Sequence, residues 1–455
     1  MGRAIRAALY PTYKCVSGQN LASKDSKQIE SARALVRELA ATLDLDAFVK
    51  LWDGTRLPLG QNARGPFEIS IANPGVIGAM LRKPNLDTMI QQYVEKGIDF
   101  SGGTLVDFGT QLQKGNKSVK LKPKDIAKVG LKLAPFLFAK PHEAKDAHGF
   151  AGEITGKSRK VADNKDYIQF HYDLSNDFYA LFLDPEMVYS CAYFIDWANG
   201  VEQAQTDKLE MICRKLRLKP GDRMLDIGSG WGGLVCHAAK NYGVTAHGCT
   251  LSEEQLAFAR AKVKRLGLED KVTFELIDYS KVTGTYDKIA SIGMFEHIGL
   301  KNIPAYMDKV RSLLSDEGLF LNHAISRRAH REKFFRGRMR PEKKAIAKYI
   351  FPGGELDDIG HSVSAMERAG FEVHDVEGWR MHYARTCQLW CEQLTANKDE
   401  AILHVGEEKY RIWVAYLAGV SLAFSRGTLR LFQTLASKSA KRPPPLPPTR
   451  ADLYR

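Results

Sequence analysis

The 455-residue sequence contains no Cys-x-x-Cys pair, no apolar run of membrane-spanning length and no acid where a dinucleotide site would want one. Each absence removes a class. Its seven cysteines, odd in number and unpaired by motif, argue against a zinc knuckle or a disulfide frame and for a reducing compartment. Cys387 and Cys391 share a helical face with His382 nearby, yet no metal site is expected from them. No stretch reaches the roughly 18 apolar residues of a bilayer span. The nearest, 412–424, reads as a buried helix. The N-terminal MGRAIRAALYPTYK lacks a continuous apolar core and a small-residue cleavage site, so no signal peptide is expected.

Positive charge is plentiful. A net charge of +13 favours an anionic partner, either nucleic acid or an anionic membrane surface. The length suggests two domains. The chain is organised around RMLDIGSGWGG, residues 223–233. An apolar run carrying Asp226 meets Gly228, Gly230, Gly232 and Gly233, and a helix-like run follows; this reads as strand, tight turn, helix. Such a turn lets a ligand lie against bare peptide N–H groups at a helix N-terminus. The spacing also satisfies G-x-G-x-x-G, but a dinucleotide site wants an acid about 20 residues on. Here the second strand, 244–250 (VTAHGCT), ends in Cys249 and Thr250. The acid instead precedes the first glycine, as expected of an S-adenosylmethionine-dependent methyltransferase. The bland alternative is a glycine turn inside an ordinary α/β sheet.

Taken in order, residues from about 26 to 115 read as a small α+β domain, a packing or binding module without catalytic grouping. Helical periodicity covers 29–43, short strands 48–52 and 67–71, and helices 76–82 and 86–96, with Asp53–Gly54 as a hairpin turn. From 114 to 165 lysines crowd (Lys114, Lys117, Lys120, Lys122, Lys124, Lys128, Lys132, Lys140) around an apolar patch, 129–139. This is either a solvated linker or a membrane-surface segment whose Phe136, Leu137 and Phe138 enter the interface. The aromatics are clustered rather than interleaved along a basic groove, which disfavours nucleic acid. From Asp166 a dense aromatic run stacks His171, Asp173, Asn176 and Asp177 between rings; buried polar groups of this kind must be paired or functional. Helices at 202–216, 252–265 and 303–314 then alternate with strands at 272–277, 287–293 and 319–324, implying a doubly wound, mostly parallel sheet. The chemistry-bearing residues fall at its carboxyl ends, where such sheets bind ligands. They are Asp226, Thr250, Asp278 with Tyr279, Glu296 with His297, and His323 closing the fifth strand. Residues 331–348 read as a basic solvated or lipid-facing helix, 407–438 as a helical hairpin, and RPPPLPPTR (442–450) as a disordered tail.

From about 166 to 437 the chain resembles the cyclopropane-fatty-acyl-phospholipid synthases, including the mycolic-acid cyclopropane synthases. The resemblance rests on HYDLSNDFY (171–179), MVYSCAYF (187–194), LDIGSGWGG (225–233), TLSEEQ (250–255), SIGMFEHIG (291–299), HAI (323–325) and KYIFPGG (348–354). Residues before it resemble the sterol-carrier-like lipid-handling module that precedes the catalytic domain in bacterial members. The expected architecture is therefore an N-terminal α+β domain (1–113), a basic linker (114–165), a Rossmann-like α/β methyltransferase domain (166–440) and a Pro-rich tail (441–455). One departure stands out: Ser229 replaces the family's usual cysteine.

The resemblance implies transfer of a methylene group from S-adenosylmethionine to a cis double bond of a phospholipid acyl chain. The alkene attacks the sulfonium methyl, a carbocation forms, and loss of a proton closes a cyclopropane. A methyl-branched acyl chain is the alternative product. Bicarbonate is the expected base, and the positions matching its site are Cys191, Glu296, His323, Ile325 and Tyr383. Cys191 lines this site and is no nucleophile. Cofactor contacts implied by motif are Tyr189, Ser190, Asp226, Gly228, Ser229, Gly230, Thr250, Gln255, Asp278 and Tyr279. The physical chemistry agrees with the residue types, because a carbocation in an apolar pocket needs a nearby anion and the anion needs donors. Expected partners are an unsaturated phospholipid in a bilayer and an anionic membrane surface, not nucleic acid, since no N/D-P-P-Y/F motif is present; a homodimer is allowed. The expected location is cytoplasmic, peripheral to the inner face of the cytoplasmic membrane.

Overall fold

The computed structural model describes residues 18–114, 132–139, 174–329, 355–439 and 446–454. Most of the lysine-rich stretch, His171 and Asp173, the basic segment 331–348 and the KYIFPGG motif lie outside them. The chain divides into two compact units, Met1–Gly103 with Gln111–Ala144, and Thr104–Thr110 with Lys145–Arg455.

In the first unit, strands β1 (Phe48–Lys50), β2 (Arg56–Pro58), β3 (Glu68–Ile71) and β4 (Ile98–Ser101) form a sheet in the order β2-β1-β3-β4. The expected Asp53–Gly54 turn closes the β1–β2 hairpin, with Asp53 accepting from the Thr55 N–H at 3.0 Å. Helices Gly18–Leu43, Pro74–Arg82 and Leu86–Val94 complete the unit. Residues 132–139 strap across it. Phe136 is fully buried and packs edge-on to Trp52 at 6.4 Å. Gln28 donates to the Pro135 carbonyl at 3.0 Å, and Arg82 to those of Leu137 and Ala139 at 3.1 and 3.0 Å. A Cβ at Gly78 would stand 2.6 Å from the Phe136 carbonyl oxygen, so the strap needs a glycine beneath it. Phe136 is therefore a core residue and not a lipid-facing one, whereas Leu137 and Phe138 are 50% and 87% exposed.

The second unit carries a seven-stranded sheet of β5 (Arg223–Ile227), β6 (Thr245–Thr250), β7 (Val272–Leu276), β8 (Tyr286–Ile292), β9 (Leu314–Arg327), β10 (Phe371–Gly378) and β11 (Leu429–Lys438). Their order is β10-β11-β9-β8-β5-β6-β7, and only β11 runs against the rest. The expected doubly wound, mostly parallel sheet is what the structure shows. Successive strand residues alternate between two apolar cores: Met224, Ala290, Leu319 and Leu321 point to one, and Leu225, Ile289 and Phe320 to the other. Burial on both faces explains why these strands read as continuous apolar runs.

Three expectations change. Residues 407–438 are not a helical hairpin. Helix Glu407–Ser425 ends, and after Gly427 (φ 68°) the chain turns into β11, which lies between β9 and β10. An inner strand that follows a buried helix is not separated from a second helix by periodicity alone. The fifth strand runs on to Arg327, so His323 sits within it and not at its end. The last residues are not disordered where described: Leu446 packs on the first core, Leu453 is 2% exposed, and Arg217 pairs with Asp452 at 3.0 Å. None of the described helices is long and apolar enough to cross a membrane.

Candidate active site

Strand order reverses between β5 and β8, and a crevice opens there at the carboxyl ends, as open α/β sheets dictate. One cavity gathers all ten residues expected from the sequence to contact a cofactor: Tyr189, Ser190, Asp226, Gly228, Ser229, Gly230, Thr250, Gln255, Asp278 and Tyr279. Gly230 has φ 54°, and a Cβ there meets no protein atom within 4 Å. A side chain at this position would therefore enter the cavity, with backbone strain besides. Ser229 is anchored by its N–H, which donates to the Cys249 carbonyl at 2.9 Å, with its hydroxyl a longer 3.3 Å from the same oxygen. Thr250 donates to Gln255 Oε1 at 2.8 Å and orients that amide. Asp278 accepts from the Ser280 N–H and hydroxyl at 2.9 and 2.5 Å, pinning the turn that carries Tyr279. The glycine turn after β5 is tied to the aromatic segment, because Trp231 Nε1 donates to Asn176 Oδ1 at 2.7 Å.

The charge in this cavity is finely balanced. Asp226 is 3% exposed, and burial pushes its carboxyl up to about 7 against the lowering pull of Lys208. Asp226 Oδ1 has no hydrogen-bond partner among the described residues. Lys208 is 1% exposed, donates to Ser190 Oγ at 3.0 Å, and is brought down to about 8 by burial although Asp184, Cys191 and Asp226 all favour its charged form. Lys208 lines the cavity, and sequence reasoning missed it. A lysine in an amphipathic helix reads as solvated; nothing local marks the one that faces inward.

Beside the cofactor cavity lies the second group. Glu296 stands in a short turn, Phe295–His297, after β8; its Oε1 accepts from the Ile325 N–H of β9 at 2.5 Å. Burial raises its carboxyl to about 7, more than that N–H lowers it, and Oε2 has no partner among the described residues. His323, two residues before Ile325 on β9, is 1% exposed, and burial, reinforced by Lys208 and Lys215, depresses its pKa well below the ordinary histidine value. Its Nε2 is buried and unpartnered among the described residues. Tyr383, on helix Arg380–Ala396, stacks on Phe424 at 4.6 Å. Burial raises its hydroxyl well above the usual range, and Cys387, Tyr416, Cys191 and Glu296 reinforce this. Tyr383 is thus within electrostatic range of Cys191 and Glu296. The Cys191 thiol is fully buried, points at the Ala192 carbonyl at 3.2 Å, and is raised well above the ordinary thiol range by burial; a nucleophilic thiolate needs the opposite. His382 and Cys391 are engaged elsewhere, His382 Nδ1 accepting from the Phe194 N–H at 3.0 Å and Cys391 Sγ lying 3.8 Å from the Val414 carbonyl.

Residues 159–434 match the family described as mycolic acid cyclopropane synthetase. The chain belongs to that family. A probable fatty acid methyltransferase of Pseudomonas putida is 37% identical over 419 residues, covering 91% of this chain and 98% of its own. The cyclopropane-fatty-acyl-phospholipid synthase of Escherichia coli K12 is 37% identical over 308 residues, covering 66% of this chain and 75% of its own. A mycolic acid cyclopropane synthase solved in complex with SAH and CTAB superposes with a TM-score of 0.57 at 35% identity, over 60% of this chain and 98% of that one. The protein is thus an enzyme of the cyclopropane synthase and S-adenosylmethionine-dependent methyltransferase class. Within this cyclopropane synthetase framework, Lys208, Lys215 and Gln433 are among the buried polar residues that the sequence motifs did not single out.

Proposed function

We propose that this enzyme adds a methylene group across the cis double bond of an unsaturated phospholipid acyl chain, forming a cyclopropane. The observation that carries the reading is the buried, half-satisfied Glu296 on the Ile325 N–H, with the unpartnered His323 Nε2 two residues along the same strand. S-adenosylmethionine supplies the carbon as a sulfonium methyl, and bicarbonate supplies the base that removes a proton as the ring closes. The residues suit both. The side-chain-free cradle over Gly230 leaves room for the cofactor, and the buried Asp226 carboxylate is suited to its cationic methionine end. Glu296 Oε2 and His323 Nε2 are orphaned buried polar atoms, the kind a small hydrogen-bonding ion satisfies. The Ile325 N–H is engaged by Glu296, so its role is to hold that carboxylate. With its carboxyl raised to about 7, Glu296 can share a proton with an anion instead of repelling it. Tyr383 supplies a hydroxyl that stays protonated, and Cys191 shapes the wall.

The first unit serves as the lipid-handling module. Docking on anionic bilayers at the inner face of the cytoplasmic membrane comes from the lysines of 114–165, each worth on the order of 1 kcal/mol near such a surface, and within the same stretch of sequence Leu137 and Phe138 are exposed. The P. putida relative, described as a probable fatty acid methyltransferase, favours a second reading in which the product is a methyl-branched acyl chain. One assay separates the two. Phospholipid vesicles are incubated with enzyme and cofactor bearing a trideuterated methyl. A cyclopropane retains two deuterons, and a branched alkene formed by loss of a chain proton retains all three. Absence of any labelled lipid would remove both readings.

A further inference from the structure

We propose that Lys215 and Gln433 are positioning residues that hold His323 in its Nε2–H tautomer, making it a hydrogen-bond donor at the reaction centre and not a base. All three side chains are 1% exposed. Gln433 lies directly opposite His323 in the antiparallel pairing of β9 with β11. Lys215 Nζ is 2.8 Å from Gln433 Oε1. An ammonium can only donate, so this end of the amide must be its oxygen. The other end is then the NH2 group, which stands 3.0 Å from His323 Nδ1. An NH2 group can only donate in turn, so Nδ1 must carry its lone pair, and the single proton of a neutral imidazole is left on Nε2. That Nε2 is the buried atom without a partner among the described residues.

Neutrality of the ring has its own support: burial and two lysines, Lys208 and Lys215, oppose a second proton. Lys215 is itself fixed. It pairs with Glu377, stands 3.8 Å from Asp375, and lies 5.2 Å above the Trp379 ring, which is near-perpendicular to the His323 ring at 5.6 Å. Arg450 of the docked tail pairs with the same Asp375. A chain of donor-only and acceptor-only groups thus runs from the surface to one imidazole nitrogen. This rests on the proposed reaction only in naming what the Nε2–H faces, an anion held with Glu296. Its mechanistic content is that His323 cannot accept the proton lost on ring closure.

The tautomer is readable in the resting full-length protein, without lipid, by long-range 1H–15N correlation with ring-15N histidine. The His323 ring is assigned by its disappearance in His323→Asn. The wild type should show the Nε2–H pattern between pH 6 and 8, on the order of the physiological range in which histidine switches. Gln433→Glu keeps an acceptor for Lys215 but replaces the NH2 donor by a carboxylate oxygen. The proton should move to Nδ1, or the ring become an imidazolium. Turnover should fall at least about tenfold, since a wrong tautomer disables an otherwise intact site, while cofactor affinity stays within about twofold. A wild-type Nδ1–H or imidazolium ring would overturn the proposal even if the variant does not fold. So would a Gln433→Glu enzyme with unchanged ring pattern and turnover. Failure to modify phospholipid would count against the proposed reaction and leave the tautomer result untouched.

Discussion

On the β5-β6-β7 flank of the large sheet, the cavity-lining groups that the sequence marked lie at or within a few residues of their own strand ends: Asp226 to Gly230, Thr250 to Gln255, Asp278 with Tyr279. On the β9-β11-β10 flank, His323 and Gln433 sit within strands, and the groups depend on partners far along the chain. His323 is held by Gln433, 110 residues away, and Gln433 by Lys215, 218 residues away. The first flank binds with backbone and short side chains on glycine turns; the second poises buried charges and tautomers across strands. Turn chemistry is local and leaves motifs, whereas a cross-strand network is specified only once the fold exists. The comparison predicts that damage to the first flank removes binding and that damage to the second removes chemistry.

The largest effect expected is on the first flank. Gly230→Val places a branched side chain in the cavity at a φ of 54° that valine rarely adopts. S-adenosylmethionine binding measured by calorimetry should vanish while the folding transition persists. Unchanged affinity in this variant would show that the cofactor does not lie on the glycine turn. Tight NAD binding by the wild type would remove the methyltransferase assignment of the cavity.

The second flank should respond in the opposite way. Glu296→Gln keeps a carbonyl for the Ile325 N–H but loses the charge. One good electrostatic group is worth about 3–4 kcal/mol in a transition state, so turnover should drop roughly 100- to 1,000-fold with cofactor affinity little changed. Depleting bicarbonate should slow the wild type reversibly and the variant far less. A wild-type rate indifferent to verified depletion would return Glu296 to the role of direct base. Tyr383→Phe, which removes one hydroxyl, should cost less than Glu296→Gln in the same assay.

What was legible follows this division. The glycine turn, the missing acid after Thr250 and the strand–helix alternation were enough to anticipate the sheet and to mark Asp226, Gly228, Gly230, Thr250, Asp278 and Tyr279, while Tyr189, Ser190 and Gln255 came from the family resemblance; all of them line one cavity. Glu296 and His323 were marked by their place near strand ends, but their shared role, and Cys191, Ile325 and Tyr383 altogether, were reachable only through family resemblance, because no spacing links them. Lys208 and Lys215 were invisible, since a lysine in an amphipathic helix carries no mark of facing inward. β11 was misread because buried Gln433 and Thr434 interrupt its apolar alternation, and because an apolar helix leads straight into it. Phe136 was read by composition among lysines, yet the open backbone at Gly78 lets it close the first unit's core.

Stability offers a further contrast. Burial raises Glu296 to about 7 from an ordinary 4.5, so the folded state holds its proton where the unfolded state has lost it. The native protein is then favoured at low pH by this group, and the contribution is lost as pH rises from about 4.5 through 7. A shift of that size corresponds to about 3 kcal/mol. Glu296→Gln should therefore flatten the fall in denaturation midpoint over this window. A variant that falls as steeply as the wild type would place the titration elsewhere. Asp226, also raised to about 7, is the first candidate.

The smallest effect is expected at Ser229, where the family's usual residue is cysteine. Its hydroxyl reaches the Cys249 carbonyl at 3.3 Å, beyond the usual O–H···O range of about 2.5–3.0 Å. The turn is held instead by the Ser229 and Gly228 N–H groups, which donate to the same carbonyl at 2.9 and 3.0 Å. These two bonds survive any change of side chain. Ser229→Cys replaces a weak donor by a weaker one of larger radius. The cost is bounded by the roughly 0.5–1.5 kcal/mol of a good neutral hydrogen bond, and a 3.3 Å contact delivers less than that. Cofactor affinity should change by less than about threefold, in either direction. A tenfold gain would mean that serine has weakened this cavity and that the side chain, not the backbone, sets affinity on the β5 flank. The division between a backbone-built binding flank and a side-chain-built chemical flank would then fail at its best-defined turn.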